Sequence, residues 1–129
     1  LTTHTITVTG VTELGESCFS NCVGLTSITI PSTITSLGYS CFVECNGLTN
    51  ITIPSSVTNI GDYCFYGCTG LTSITLQWTN KADIPTVDME TIFLESGITS
   101  YSQIIIPNES LREAYEEKGW VPYEEVTTQ

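Results

Sequence analysis

The sequence predicts a repeat solenoid, a stack of parallel β coils of 23 residues each, closed at its C-terminal end by a short helical cap. Three observations predict it. Residues 25–47 read LTSITIPSTITSLGYSCFVECNG and residues 48–70 read LTNITIPSSVTNIGDYCFYGCTG, so the chain nearly says the same thing twice in phase. A unit this short cannot bury its own apolar side, and it closes a core only against copies of itself. After Pro107 the apolar spacing changes from two residues to three and four, which is the mark of a helix. The 129 residues are expected to form a single domain, with copies at about 2–24, 25–47, 48–70 and 71–100 and a cap over about 101–129.

Within a copy, Leu25, Ile28 and Ile30 alternate with Thr26, Ser27 and Thr29, which predicts a short strand buried on one side. Equivalent strands are expected near residues 6–8, 51–53, 74–76 and 104–106. Pro31 and Pro54 lack an N–H, end the ladder and turn the chain out of the sheet. Ile34 and Leu37 then return inward on a second side, with Gly38 expected to supply the bend, and Cys41, Phe42 and Cys45 fill the core before Gly47.

The ends are worn copies of this pattern. Gly15, Cys18, Phe19, Cys22 and Gly24 match the second copy, but upstream of Gly15 the register slips by one and the proline is lost. Nothing before Ile6 reads as a polar cap, so this edge is expected either to continue into further chain or to stand exposed and invite end-to-end self-association. At the other end LTSITL restarts the repeat at Leu71, Gln77 replaces the proline, and a seven-residue excess is expected to bulge out over residues 78–89 before Phe93 restores the phase. Beyond Pro107, Asn108 or Ser110 caps a helix whose Leu111, Ala114 and Tyr115 share one side. Gly119 ends it, Trp120, Val121 and Tyr123 lie over the last coil, and residues 124–129 are expected to fray.

The pattern LxxIxIPxxVTxIGxxxFxxCxxL resembles the BspA-like class of leucine-rich repeats, with Cys18, Cys41 and Cys64 where that pattern more often has a small residue such as Ala. The closing segment IIIPNESLREAYEEKGW is similar to the ending of many such proteins. The resemblance implies an extracellular or cell-surface location and an adhesin-like role toward a host or other extracellular protein, since members are typically surface or secreted proteins of microbes.

Composition excludes several other roles. The net charge is −11, and Lys81, Arg112 and Lys118 are the three basic residues, too few to neutralise a phosphate backbone or to hold an anionic membrane. Membrane association is expected only through an anchor outside this sequence, because no run approaches the length of a span. The chain begins at Leu1, as expected of a mature or trimmed fragment. Acidic residues are sparse in the repeats, namely Glu13, Glu16, Glu44 and Asp62, and dense over residues 83–125, which reads as a solvated cap.

Six cysteines fall as Cys18/Cys22, Cys41/Cys45 and Cys64/Cys68. Zinc knuckles, stacked disulfides and a ladder of buried thiols are the three readings, and the last is favoured because each cysteine recurs at a core phase beside a phenylalanine. No metal or cofactor is expected. His4 is the single histidine and has no partner motif for catalysis, and Asp83, Asp88, Glu90 and Glu95 follow no calcium-loop spacing.

What remains is recognition without turnover. The outward side of the strands carries Ser27, Thr29, Asn50, Thr52, Ser73 and Thr75 in register, a polar stripe suited to a protein partner. Tyr66 and Trp78, with Tyr39 and Tyr63, form a rival aromatic set of the kind on which sugar rings stack. A glycan-binding module and a purely structural stalk are therefore the alternatives.

Overall fold

A computed structural model describes residues 5–122, and side chains from residue 8 onward. His4 and the upstream edge of the first copy lie outside the described residues, as do Tyr123 and the tail expected to fray.

The expected strands are present as β1 (Thr5–Thr7), β3 (Ser27–Thr29), β5 (Asn50–Ile53), β7 (Ser73–Leu76) and β8 (Ile104–Ile105). All pair in parallel: Ile6 lies opposite Ile28, Asn50 opposite Ser73, and Ile74 opposite Ile104. Thr49 N–H donates to the Thr26 carbonyl at 3.4 Å and joins the β1–β3 pair to the β5–β7–β8 sheet. Ile28, Ile30, Ile51, Ile53, Ile74 and Leu76 point inward and are buried.

A second parallel ladder stands where the sequence suggested only a return of apolar side chains. Its rungs are β2 (Glu13–Leu14), β4 (Ser36–Leu37) and β6 (Asn59–Ile60), with Leu14, Leu37 and Ile60 in register. Gly38 and Gly61 begin the turn after it, and their role differs from the bend expected of them. A Cβ on Gly61 would stand 2.5 Å from the Tyr39 nitrogen, and one on Gly38 2.7 Å from the Glu16 nitrogen. Glycine is required there because adjacent backbones touch, not because the chain needs an unusual dihedral.

The third side is a chain of turns. Ser40 and Glu44 have φ of 55° and 58°, in the left-handed region, and Ser17, Asn21 and Tyr63 repeat this at equivalent places. The left-handed residues aim their N–H groups along the stack, so Ser40, Phe42 and Glu44 donate to the carbonyls of Asp62, Cys64 and Tyr66 at 3.0, 2.8 and 2.7 Å. Ser17, Phe19 and Asn21 donate in the same sense to Tyr39, Cys41 and Val43. Inside this side the phenylalanines form a column. Phe19–Phe42, Phe42–Phe65 and Phe65–Phe93 have centroids 5.4, 5.2 and 5.1 Å apart and rings within 6° of parallel. That separation lies in the range where offset aromatic stacking is favourable.

The stretch expected to bulge out is exposed over residues 79–83 and is pinned to the core at Trp78, Ile84 and Met89. Ile84, Met89 and Ile92 are buried, the last two in a single helical turn, α1 (Met89–Ile92), capped by the Asp88 carboxylate on Glu90 N–H. The terminal helix α2 (Arg112–Glu117) follows a 3-10 turn that the Asn108 side chain caps. It is short, and it holds because it is stitched to the inserted stretch. The Tyr115 hydroxyl donates to the Trp78 carbonyl, Lys118 Nζ donates to the Ile84 carbonyl at 2.8 Å, and Trp120 Nε1 donates to the Pro85 carbonyl at 3.1 Å. Trp120 closes the phenylalanine column, its ring 6.3 Å from Phe93.

Candidate functional site

The strand side presents Thr29, Asn50 and Thr52 to solvent, with Ser27, Ser73 and Thr75 half-buried beside them. Alternation along each strand puts them outward, and the register aligns them: Asn50 with Ser73, Thr52 with Thr75, and Thr75 with Ile105. Ile105 is the residue that the sequence reading missed. It occupies the outward phase of the last strand, is 47% exposed, and ends a hydroxyl stripe with an apolar side chain. Beside it a cleft of about 500 Å³ opens, lined by Ser55, Thr75, Gln77, Thr79, Ile105 and Pro107 among others. The signal was present in the sequence, since Ile105 stands where Thr29, Thr52 and Thr75 stand in the other copies.

Trp78 does not belong to any exposed set. Its side chain is fully buried, its indole N–H donates to the Val57 carbonyl at 3.0 Å, and its ring packs 5.7 Å from Trp120 and 6.4 Å from Tyr115. It anchors the inserted stretch under the cap, so it has no face left for a sugar. Tyr66 does lie with Tyr39 and Tyr63 on the third side of the coil. Tyr63 sits 5.9 Å from each of the other two, edge to face with both.

All six cysteines are unbridged, and Cys41, Cys45, Cys64 and Cys68 are buried. The thiols of Cys45 and Cys68 donate to the carbonyls of Phe19 and Phe42 in the preceding coil, at 3.0 and 3.1 Å. Burial pushes Cys41 and Cys68 up to about 12 and Cys45 up to about 11, and holds Cys64 well above its ordinary value. Thiols that resist ionisation this strongly are poor nucleophiles and poor metal ligands. Among the described residues no three His, Cys, Asp or Glu side chains converge as a metal site, and no helix is long and apolar enough to cross a membrane.

The model of the BspA type leucine rich repeat region matches residues 1–111. The chain belongs to the BspA-type leucine-rich repeat family. A leucine rich cell surface protein from Faecalibacterium prausnitzii A2-165, known from its crystal structure, is similar to this BspA-type chain with a TM-score of 0.58 at 22% identity. The match covers 92% of the chain and 35% of that protein, so this BspA-type chain spans about a third of the structural relative's length. No curated protein sequence matches it.

Proposed function

We propose that the chain is a non-catalytic, adhesin-like recognition module of the cell surface or of a secreted protein, a single solenoid domain of 23-residue coils that holds an extracellular protein against its strand side. One observation carries this reading: the outward residues are held in register from Asn50 and Thr52 through Ser73 and Thr75, and the row ends at exposed Ile105 beside the cleft. Strands lie about 4.8 Å apart, so the row is a rigid ruler of hydroxyls with one apolar anchor. Such an anchor in a polar surround is the composition of an energetic centre at an interface. The family and the description of the Faecalibacterium protein support a surface location.

The test is a binding screen against extracellular-matrix proteins and a glycan array, with the unmodified chain, an Asn50→Lys/Thr52→Lys pair and Ile105→Asp. Loss of a protein ligand in both strand-side variants, with unchanged thermal unfolding, is the expected result. Retention in both overturns the assignment of the side, a signal confined to the array makes the chain a glycan binder, and no signal in either screen makes it a stalk.

A further inference from the structure

The third side of the coils carries a surface that the strand-side reading does not use. Tyr39 and Tyr63 are 50% and 36% exposed, Tyr66 is half-buried, and the three rings lie edge to face in a row. Tyr63 stands at φ 61°, a left-handed backbone that equivalent positions fill with Ser17 and Ser40. A bulky aromatic side chain is rare in that conformation, and here it stays exposed, so core packing does not account for it. The surroundings have one sign of charge. Glu16 and Asp62 occupy in their coils the position that Tyr39 occupies in its own, and the Glu44 side chain lies across Gly67, next to Tyr66. No Lys or Arg precedes Lys81, while Arg112 is paired with Glu109 at 2.8 Å and Lys118 is bound to the Ile84 carbonyl.

From this geometry we infer that the Tyr39–Tyr63–Tyr66 surface docks a cationic segment of a partner protein, an exposed stretch rich in arginine. Guanidinium planes stack on tyrosine faces while their N–H groups reach carboxylates, and Glu16, Glu44 and Asp62 supply the carboxylates, with no Lys or Arg among residues 1–80 to compete. A neutral sugar is the poorer occupant. Neighbouring rings here stand 85° and 90° apart, so they form no flat platform for successive pyranoses. An anionic glycan or nucleic acid meets only repulsion.

The probe is a fluorescein-labelled octa-arginine peptide, followed by anisotropy at 150 mM salt, with octa-lysine and cellohexaose as comparison ligands. Tyr63→Ser/Tyr66→Ser is the diagnostic variant. It leaves the net charge at −11 and installs serine where Ser17 and Ser20 already occupy the equivalent positions. Octa-arginine is expected to bind more tightly than octa-lysine and to lose at least tenfold in affinity to the double variant, whereas Ile105→Ser on the strand side changes nothing. Urea unfolding of each variant confirms that it is folded. Equal peptide affinity in the double variant shows diffuse charge attraction only and overturns the inference. So does the absence of peptide binding, or binding of cellohexaose in its place.

Discussion

Raising the pH above 9 should unfold this protein from the inside. Cys41, Cys45, Cys64 and Cys68 have no solvent exposure, and burial is the largest influence on each. In the unfolded chain they ionise near their ordinary 9.0; in the folded one Cys45 waits until about 11, Cys41 and Cys68 until about 12, and Cys64 also ionises far above its ordinary value. Across that window the native state binds more protons than the unfolded state, so stability falls as pH rises. The contribution is whole below pH 9 and is lost on the way to 11 or 12. By about pH 10 each thiol has removed about 1.4 kcal/mol, so the four together remove about 5–6 kcal/mol. That is comparable with the whole stability of a small domain, about 5–15 kcal/mol. Urea unfolding with reductant, read from the fluorescence of buried Trp78 and Trp120 at a series of pH values, measures the slope directly. Cys64→Ala is the control, because repulsion within a chain of net charge −11 also grows with pH but does not depend on one thiol. By pH 10 the variant should have lost about 1.4 kcal/mol less than the parent. A flat profile from pH 7.5 to 10, or a Cys64→Ala slope equal to that of the parent, would refute the reasoning.

The phenylalanine column predicts a graded series in guanidinium unfolding. Phe42→Ala, with a ring on both sides, should lose about 3–5 kcal/mol, and Phe19→Ala, half-buried and stacked on one side, less than about 2 kcal/mol; equal losses would show that stacking between coils is not the source. Gly61→Ala forces a Cβ to within 2.5 Å of the Tyr39 nitrogen and should cost about 1–3 kcal/mol. Gly15→Ala, with nothing within 4 Å of the added Cβ, should stay within about 0.5 kcal/mol, and a melting-temperature comparison of the two decides the point. Trp78→Phe deletes the donor to the Val57 carbonyl and should lower stability by about 1–3 kcal/mol while leaving every ligand affinity unchanged; a selective loss of binding would return Trp78 to the surface.

The strands were legible because Ile28, Ile51 and Ile74 sit in an alternation that a single buried side imposes, and Phe93 was recognisable across the inserted residues because Ser96 follows it at the spacing at which Cys45 follows Phe42 and Cys68 follows Phe65. The second ladder was not, since Ser36–Leu37 is two residues long and too short to show a period. The left-handed positions were equally hidden: Ser17, Asn21, Ser40, Glu44 and Tyr63 share a backbone conformation but no one side-chain chemistry. Trp78 was misplaced for a different reason. A tryptophan in a polar, irregular stretch reads as exposed, and what buries it, Tyr115 and Trp120, arrives far along the chain. Of the candidate site, the hydroxyl row followed from alternation alone, whereas Ile105 was overlooked inside an IIIP run that reads as core. The tyrosines were named from the sequence as a patch, but their edge-to-face geometry and the carboxylates around them depend on neighbouring coils.

The one-way sense of the third side sets the unit in which this protein can change length. Every coil there hands its N–H groups forward and receives on its carbonyls from behind, as Ser17 to Tyr39 and Ser40 to Asp62 do, like couplings that join only nose to tail. Removing residues 25–47 as a block brings the donors of Ser17, Phe19 and Asn21 against Asp62, Cys64 and Tyr66, and lays Phe19 on Phe65, with no coupling left open. A cut inside the turns breaks this phase, and other differences in length are absorbed outside them, as where β1 pairs with β3 at a separation of 22 residues and β7 with β8 at 30. Loss or duplication of a whole coil therefore keeps the core's contacts in phase, and the outward surface can lengthen or shorten in whole coils without redesign of the core.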